Sequence, residues 1–292
     1  MRQIADQLYL ETTYPGVNVL ALATRKGLIC LDAPTFAHDA RAWVTRVRKL
    51  HPYTIRFLLL SDYHGDRILN SRWFNAPIVV QRQTEKQLQK YEKRYPPSFY
   101  KNLLAHNPAY RQELLNGPVA RPAMSFGSQL TLGDGGQRVE LWHMPGPTTG
   151  TFWAHFPQAG ILFTGDSLVT REPPCLLWAD CTAWLASLDT LKHDARFQDV
   201  HTIVPGRGDV CDVQAVEPVI GYLNKAQRCV QDHVHADRPR EALSTYVVEL
   251  AAFFPNHRWP TNWIEQQILA GLEHLYDQIQ LVESAGATQG TV

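Results

Sequence analysis

Residues 55–60, IRFLLL, form an apolar run of strand length with no regular polar alternation. A strand of that kind needs cover on both faces, which demands a layered fold. The run stops abruptly at Ser61-Asp62-Tyr63-His64-Gly65-Asp66-Arg67. In layered folds, functional side chains sit on loops at strand ends. This junction is therefore the first place to look for chemistry.

The rest of the chain repeats the theme. LYLETTY, VNVLALAT and GLICLDA read as strands broken by Pro15-Gly16 and Arg25-Lys26-Gly27. Phe36, Ala40, Trp43, Val44, Val47 and Leu50 share one helical face, and His51-Pro52 ends that helix. APIVVQ (76–81) reads as another strand, and residues 83–118 as a helical excursion from the sheet. β signals return in MSFGSQLTL, QRVELWHM, GTFWAHF and AGILFTG, with Gly135-Gly136 marking a hairpin turn. A helix carrying Trp184, Leu188 and Leu191 precedes the strand VHTIVPG. From residue 213 the pattern is helical, with stripes Val213, Val216, Ile220, Leu223 and Ile264, Ile268, Leu272, Leu275, Ile279. The tail SAGATQGTV reads as frayed. Two units are expected: a core over 1–210 and a helical segment over 211–292 packing on it.

Composition narrows the function classes. The 292 residues carry 28 Lys+Arg and 28 Asp+Glu, without the basic excess of a nucleic-acid or membrane coat. No apolar stretch reaches membrane-spanning length, and the first residues lack a signal-peptide core. Five cysteines without CxxC spacing indicate neither a zinc knuckle nor a disulfide framework, so a reducing cytoplasm is the expected setting. Cys30 and Cys229 lie in apolar patterns that suit core packing.

Four loops, each leaving a β run, carry a polar residue beside a glycine. They are Ser61–Arg67, His143-Met144-Pro145-Gly146-Pro147-Thr148-Thr149-Gly150, Phe163-Thr164-Gly165-Asp166-Ser167 and Val204-Pro205-Gly206-Arg207-Gly208-Asp209. Asp62 and His64 are two apart, so in extended backbone they point the same way. Asp66 and Arg67 would open the next helix, where a carboxylate also suits a cap. Acids and one imidazole converging from strand ends can hold a metal. His143 either joins them or bonds to backbone, and His233 with His235 reads as a solvated helix end. Asp32 defaults to a turn-capping role. Ser61 and Ser167 sit in no nucleophile elbow. Core or interface packing is the default for most of Trp142, Trp153, Trp178, Trp259 and Trp263, with a pocket wall as the alternative.

In order and spacing these loops resemble the four motifs of the metallo-β-lactamase superfamily. The resemblance covers roughly residues 5–210. It implies an α/β fold, an αββα sandwich of two mixed β-sheets flanked by helices, here with a C-terminal helical extension. Carried over by position, the first-site histidines fall on Asp62, His64 and Pro147. The second-site ligands fall on Asp66, Arg67 and Arg207, and the bridging carboxylate on Asp166. Only His64, Asp66 and Asp166 keep the family residue. Asp62 can still ligate, Pro147 cannot through its side chain, and Arg67 and Arg207 are permanent cations. The second site is therefore expected empty, with the two guanidiniums neutralising Asp66 and Asp166. The first leaves two alternatives: one divalent ion (Zn, Fe or Mn) on Asp62, His64 and Asp166, or a metal-free salt-bridge cluster.

The resemblance implies a hydrolase acting on an ester, thioester or lactone with at most one metal. Asp66 would then take a proton from water, and Arg67 and Arg207 would bind an anionic group or a developing oxyanion. The alternative is a pseudoenzyme that binds an anionic small molecule through Arg67 and Arg207. A small-molecule partner is expected, with no nucleic acid and no membrane. Aromatic residues on the C-terminal helices would suit a homodimer.

Overall fold

The β runs close into two facing sheets. The computed structural model describes residues 1–50, 54–100, 103–104, 108–115, 117–134, 136–255 and 259–289. Strands β1 (Arg2–Ala5), β2 (Leu8–Glu11), β3 (Val19–Thr24), β4 (Gly27–Leu31), β5 (Ile55–Leu59), β6 (Ile78–Gln81) and β7 (Met124–Phe126) form the first sheet, in sequence order. Its first four strands pair antiparallel and β4 to β7 pair parallel. Strands β8 (Gln129–Gly133), β9 (Arg138–His143), β10 (Phe152–Phe156), β11 (Ile161–Val169) and β12 (Thr202–Arg207) form the second, ordered β12-β11-β10-β9-β8. Only β11 and β12 run parallel there. Both sheets are mixed, as the resemblance implies.

Strand periodicity explains the layers. Along β3, Leu20 and Leu22 point into the space between the sheets, while Val19, Ala21 and Ala23 point to the helical side. In β4, Ile29 and Leu31 point inward, and Leu28 and Cys30 outward. Across the gap they share one cluster with Leu141, Phe152, Phe163 and Val204. Both faces are covered, so neither strand shows polar alternation.

Helix α1 (Ala37–Val47) covers the first sheet with the expected stripe of Ala37, Ala40, Trp43, Val44 and Val47. The expected helix stop at His51-Pro52 lies outside the described residues, as does Gly135 of the expected turn; β8 and β9 do pair around it, Gly133 opposite Arg138. Helix α2 (Gly65–Ile68) follows β5 directly, α3 (Arg82–Gln89) follows β6, and α4 (Arg111–Leu115) lies further along the excursion. The excursion reaches the strand ends: a Cβ on Gly65 would stand 2.2 Å from the Phe99 carbonyl oxygen, an approach only glycine allows.

Helices α5 (Cys181–His193), α6 (Val216–His235), α7 (Val247–Ala251) and α8 (Thr261–Gln289) cover the second sheet. They share one apolar cluster with Trp153, Leu162 and Leu168. Helix α8 continues to Gln289, through most of the tail read as frayed. Strand β1 has no signal in the sequence and owes its form to pairing with β2. Among the described residues, no helix is long and apolar enough to cross a membrane.

The gap between the sheets is the core that matters most. Phe152 is fully buried there, its ring 5.5 Å from Phe126. Phe152→Ala should cost roughly 3–5 kcal/mol, read as a lowered urea midpoint with an unchanged slope.

Candidate functional site

Parallel pairing brings the ends of β4 and β5 together, so Asp32 and Ser61 meet. Asp32 is fully buried and adopts a left-handed backbone, φ 56°. Its Oδ1 accepts the Ser61 N–H at 2.8 Å and its Oδ2 the Ser61 hydroxyl at 2.7 Å. The second sheet supplies Asp166 through a bulge. Phe163 pairs with Val204 and Gly165 with Pro205, so β11 gains a residue at Gly165, whose φ is 53°. Gly206 lets the strands close: a Cβ there would stand 2.3 Å from Asp166 Oδ1.

Arg67 joins the two sheets. It is fully buried, with Nη1 donating to Asp32 Oδ2 at 3.2 Å and to Ser61 Oγ at 3.1 Å. Its Nη2 donates to Asp166 Oδ1 at 2.6 Å. Nε lies 3.5 Å from Asp62 and 3.6 Å from Asp66. Arg207, from β12, takes the other side of Asp166. Its Nε donates to both carboxylate oxygens at 3.1 Å and its Nη2 to Oδ2 at 2.8 Å. The same Nη2 is 2.5 Å from Asp66 Oδ2, and Nη1 is 3.9 Å from Glu172.

His64 completes the cluster. Asp62 Oδ1 accepts the His64 backbone N–H at 2.8 Å, and Asp62 Oδ2 faces the ring Nδ1 at 3.0 Å. Asp166 Oδ2 is 3.6 Å from the same Nδ1. Nε2 is buried and makes no hydrogen bond among the described residues. Ligand atoms of Asp62, His64 and Asp166 all lie within 4.8 Å of one another, the separation of a set able to hold a metal.

The electrostatics follow from burial against pairing. Burial alone would raise the Asp166 carboxyl, but Arg207 and then Arg67 outweigh it and hold the group far below the usual carboxylate range. Burial opposes a charged His64, yet Asp62 outweighs it and raises the imidazole well above its usual value. Asp32 and Glu172 go the other way, each pushed up to about 7 by burial despite its arginine.

A cavity of about 90 Å³ opens beside His64 and Asp66. Phe99, Trp178, Trp259 and Trp263 line it, with Cys175 and Arg207. A second cavity of about 280 Å³ adjoins it, sharing Pro15, Gly16, Arg207 and Trp259, and reaches Glu172. The two cavities thus meet at Arg207.

The cluster brings together Asp62, His64, Asp66, Arg67, Asp166 and Arg207, six of the seven positions carried over from the motifs; Pro147 makes none of these contacts. Arg67 has a different place from the one expected: it lines neither of these cavities, and its guanidinium is enclosed by the cluster. His143 stands apart, its Nε2 paired with the Thr149 carbonyl at 2.9 Å. His233 is buried, not solvated, and its Nε2 pairs with the Pro239 carbonyl. Ser61 and Ser167 are buried in structural bonds. Trp178, Trp259 and Trp263 are wall residues, whereas Trp153 is core. Cys175 carried no sequence signal. Asp32 had one, an acid after an early strand, which a turn role hid.

Two outcomes test the cluster. Arg67→Met should cost roughly 3–5 kcal/mol, because it strands a buried carboxylate; adding Asp166→Asn should recover part of the loss in a double-mutant cycle. Asp166, with a depressed folded value, stabilises above its unfolded pKa of 3.8 and loses this as pH falls. His64, with a raised value, stabilises fully below 6.5 and loses this as pH rises through its folded value. Asp32 and Glu172, raised by burial, also favour folding less as pH climbs towards 7. Chemical denaturation should therefore show the cluster's contribution greatest in mild acid, roughly pH 4–6, and lower on either side.

Comparison with known proteins agrees with this architecture. The metallo-beta-lactamase superfamily matches residues 15–206. A metallo-beta-lactamase family protein from Thermus thermophilus superposes with a TM-score of 0.65 at 18% identity, covering 94% of each chain. A metallo-beta-lactamase from Pontibacter korlensis gives 0.59 at 18% identity, over 76% of this chain and 97% of its own. No curated protein matches the sequence. With the sandwich, the loop order and more than half of the chain matched, this protein belongs to the metallo-beta-lactamase superfamily.

Proposed function

We propose that the chain is a metal-independent hydrolase-like member of its superfamily. It takes a small anionic molecule and cleaves an ester, thioester or lactone bond in it. One observation carries the reading: His64 is oriented by Asp62 through Nδ1 and lines a cavity that also holds Arg207, and its buried Nε2 makes no hydrogen bond among the described residues. An oriented imidazole with one free edge is the working unit of proton transfer.

The superfamily typically binds divalent metals, so the donor set decides whether one fits here. It does not fit as arranged. Both oxygens of Asp166 are held by guanidiniums. Asp62 is engaged by the backbone and ring of His64, whose Nδ1 faces two carboxylates and bears the proton. The charges of Asp62, Asp66 and Asp166 are met by Arg67, Arg207 and His64, leaving a divalent ion little to neutralise. No step below passes through a metal.

The residues on the cavity then take distinct roles. Arg207 presents fixed positive charge to an anionic group of the substrate. His64 moves a proton at Nε2. Asp66, whose Oδ1 makes no hydrogen bond among the described residues, holds the water that supplies the hydrolytic oxygen. Arg67 keeps Asp62 and Asp166 in place from behind. The guanidinium pairing of Asp66 also favours a second reading, binding without turnover, and the same assay separates the two.

The test is hydrolysis of a panel of carboxylate-bearing esters, thioesters and lactones by chelator-treated protein. Turnover should survive chelation and fall about 100-fold or more in His64→Gln. Activity that appears only on adding Zn, Fe or Mn would overturn the proposal. Thermal stabilisation by the panel without any product would support binding alone.

A further inference from the structure

The chain has five cysteines, none in a disulfide. Burial pushes Cys30, Cys181 and Cys211 up to about 12 and also raises Cys229. These thiols stay protonated and unreactive. Cys175 differs in position: it is half-buried and lines the cavity that holds His64. Pro173 and Pro174 precede it, and both are buried, so the backbone that presents it is stiff.

The neighbour makes the position informative. His64 is 6% exposed, its Nδ1 is taken by Asp62, and its Nε2 is a buried polar atom that makes no hydrogen bond among the described residues. The Cys175 thiol stands beside this ring and helps to retain the ring proton. Both side chains line the same cavity, and nucleophile–base pairs are often loosely spaced before substrate binds.

We infer that Cys175 is the nucleophile of this site, with His64 as its proton partner and Asp62 as the residue that orients His64. This rests on the hydrolase reading above and supplies its missing nucleophile. The Cys175 thiolate attacks the substrate carbonyl, forming an S–C bond. The bond from that carbonyl to the alcohol or thiol breaks, and His64 Nε2–H protonates the leaving group. Water then attacks the acyl-cysteine, giving its proton to His64. The S–C bond breaks, the carboxylic acid leaves, and the thiolate–imidazolium pair is restored. Substrate and one water become acid and alcohol or thiol, with no redox change.

The experiment begins with native protein and iodoacetamide at about pH 6, where an ordinary thiol is almost wholly protonated. Peptide mass mapping should find Cys175 alkylated first, about tenfold or more faster than the same cysteine in urea-unfolded protein. His64→Gln, checked for native melting, should remove that excess. Brief incubation with the phenyl thioester of succinate should leave a hydroxylamine-sensitive succinyl group on Cys175. Alkylation no faster in the folded than in the unfolded chain would overturn the inference without recourse to any variant. Turnover that survives Cys175→Ala but is lost in His64→Gln would also overturn it while leaving the hydrolase reading intact. Rapid, His64-dependent alkylation without turnover of any panel member would sustain the activated thiol and sink the hydrolase reading.

Discussion

The site depends on one carboxylate held between two guanidiniums. Asp166 projects from a bulge in β11, Arg207 comes from the neighbouring strand, and Arg67 reaches across from the other sheet. A buried carboxylate alone would be costly, and so would either arginine. Together they offset each other, and Arg67 carries the constraint onward to Asp32 and Ser61. That fixes the chain leaving β5, which in turn sets Asp62 and His64. Gly165 and Gly206 belong to the same construction, because a side chain at Gly206 would strike Asp166 itself.

This arrangement changes the kind of chemistry available. A metal centre needs unprotonated donors with free lone pairs. Here the lone pairs of Asp166 point at arginine, and His64 is driven toward its protonated form. In the metal-independent reading proposed above, fixed guanidiniums and one mobile proton stand where a doubly charged ion would. Fixed cations bind anions but do not sharpen water as a nucleophile. In that reading a nucleophile supplied by the protein gains weight, which is why the thiol on the His64 cavity was proposed for the role.

Much of this was legible in the sequence, for definite reasons. Strands covered on both faces leave unbroken apolar runs, and the four loops stand out by contrast at their ends. The exchange of two ligand positions for Arg67 and Arg207 was equally plain. The burial of Arg67 was not, because an arginine after a strand looks the same whether it meets solvent or two carboxylates from distant segments. Asp32 looked like a turn residue, and its backbone is indeed a turn; only the fold brings Arg67 to it. His233 looked solvated because its neighbours are polar, yet helix α6 turns that one position toward Tyr246 and Tyr276. Cys175 sits in no motif and gains meaning only from a ring more than a hundred residues earlier in the chain.

Part of the cavity wall comes from beyond the region matched by the superfamily, and part from the excursion inserted within it. The matched region ends at residue 206, but Trp259, just before α8, and Trp263 and Gln267, in its first turns, lie beyond it. Trp259 and Trp263 stack with centroids 4.9 Å apart. Phe99 comes from the excursion and is held against Gly65. The core thus supplies the polar floor, and the added segments supply an aromatic roof. Aromatic walls favour flat or apolar groups and exclude water, which strengthens every charge beneath them. The hydrolase proposed above would thus be suited to a molecule with an anion for Arg207 at one end and an apolar or planar group against the tryptophans at the other.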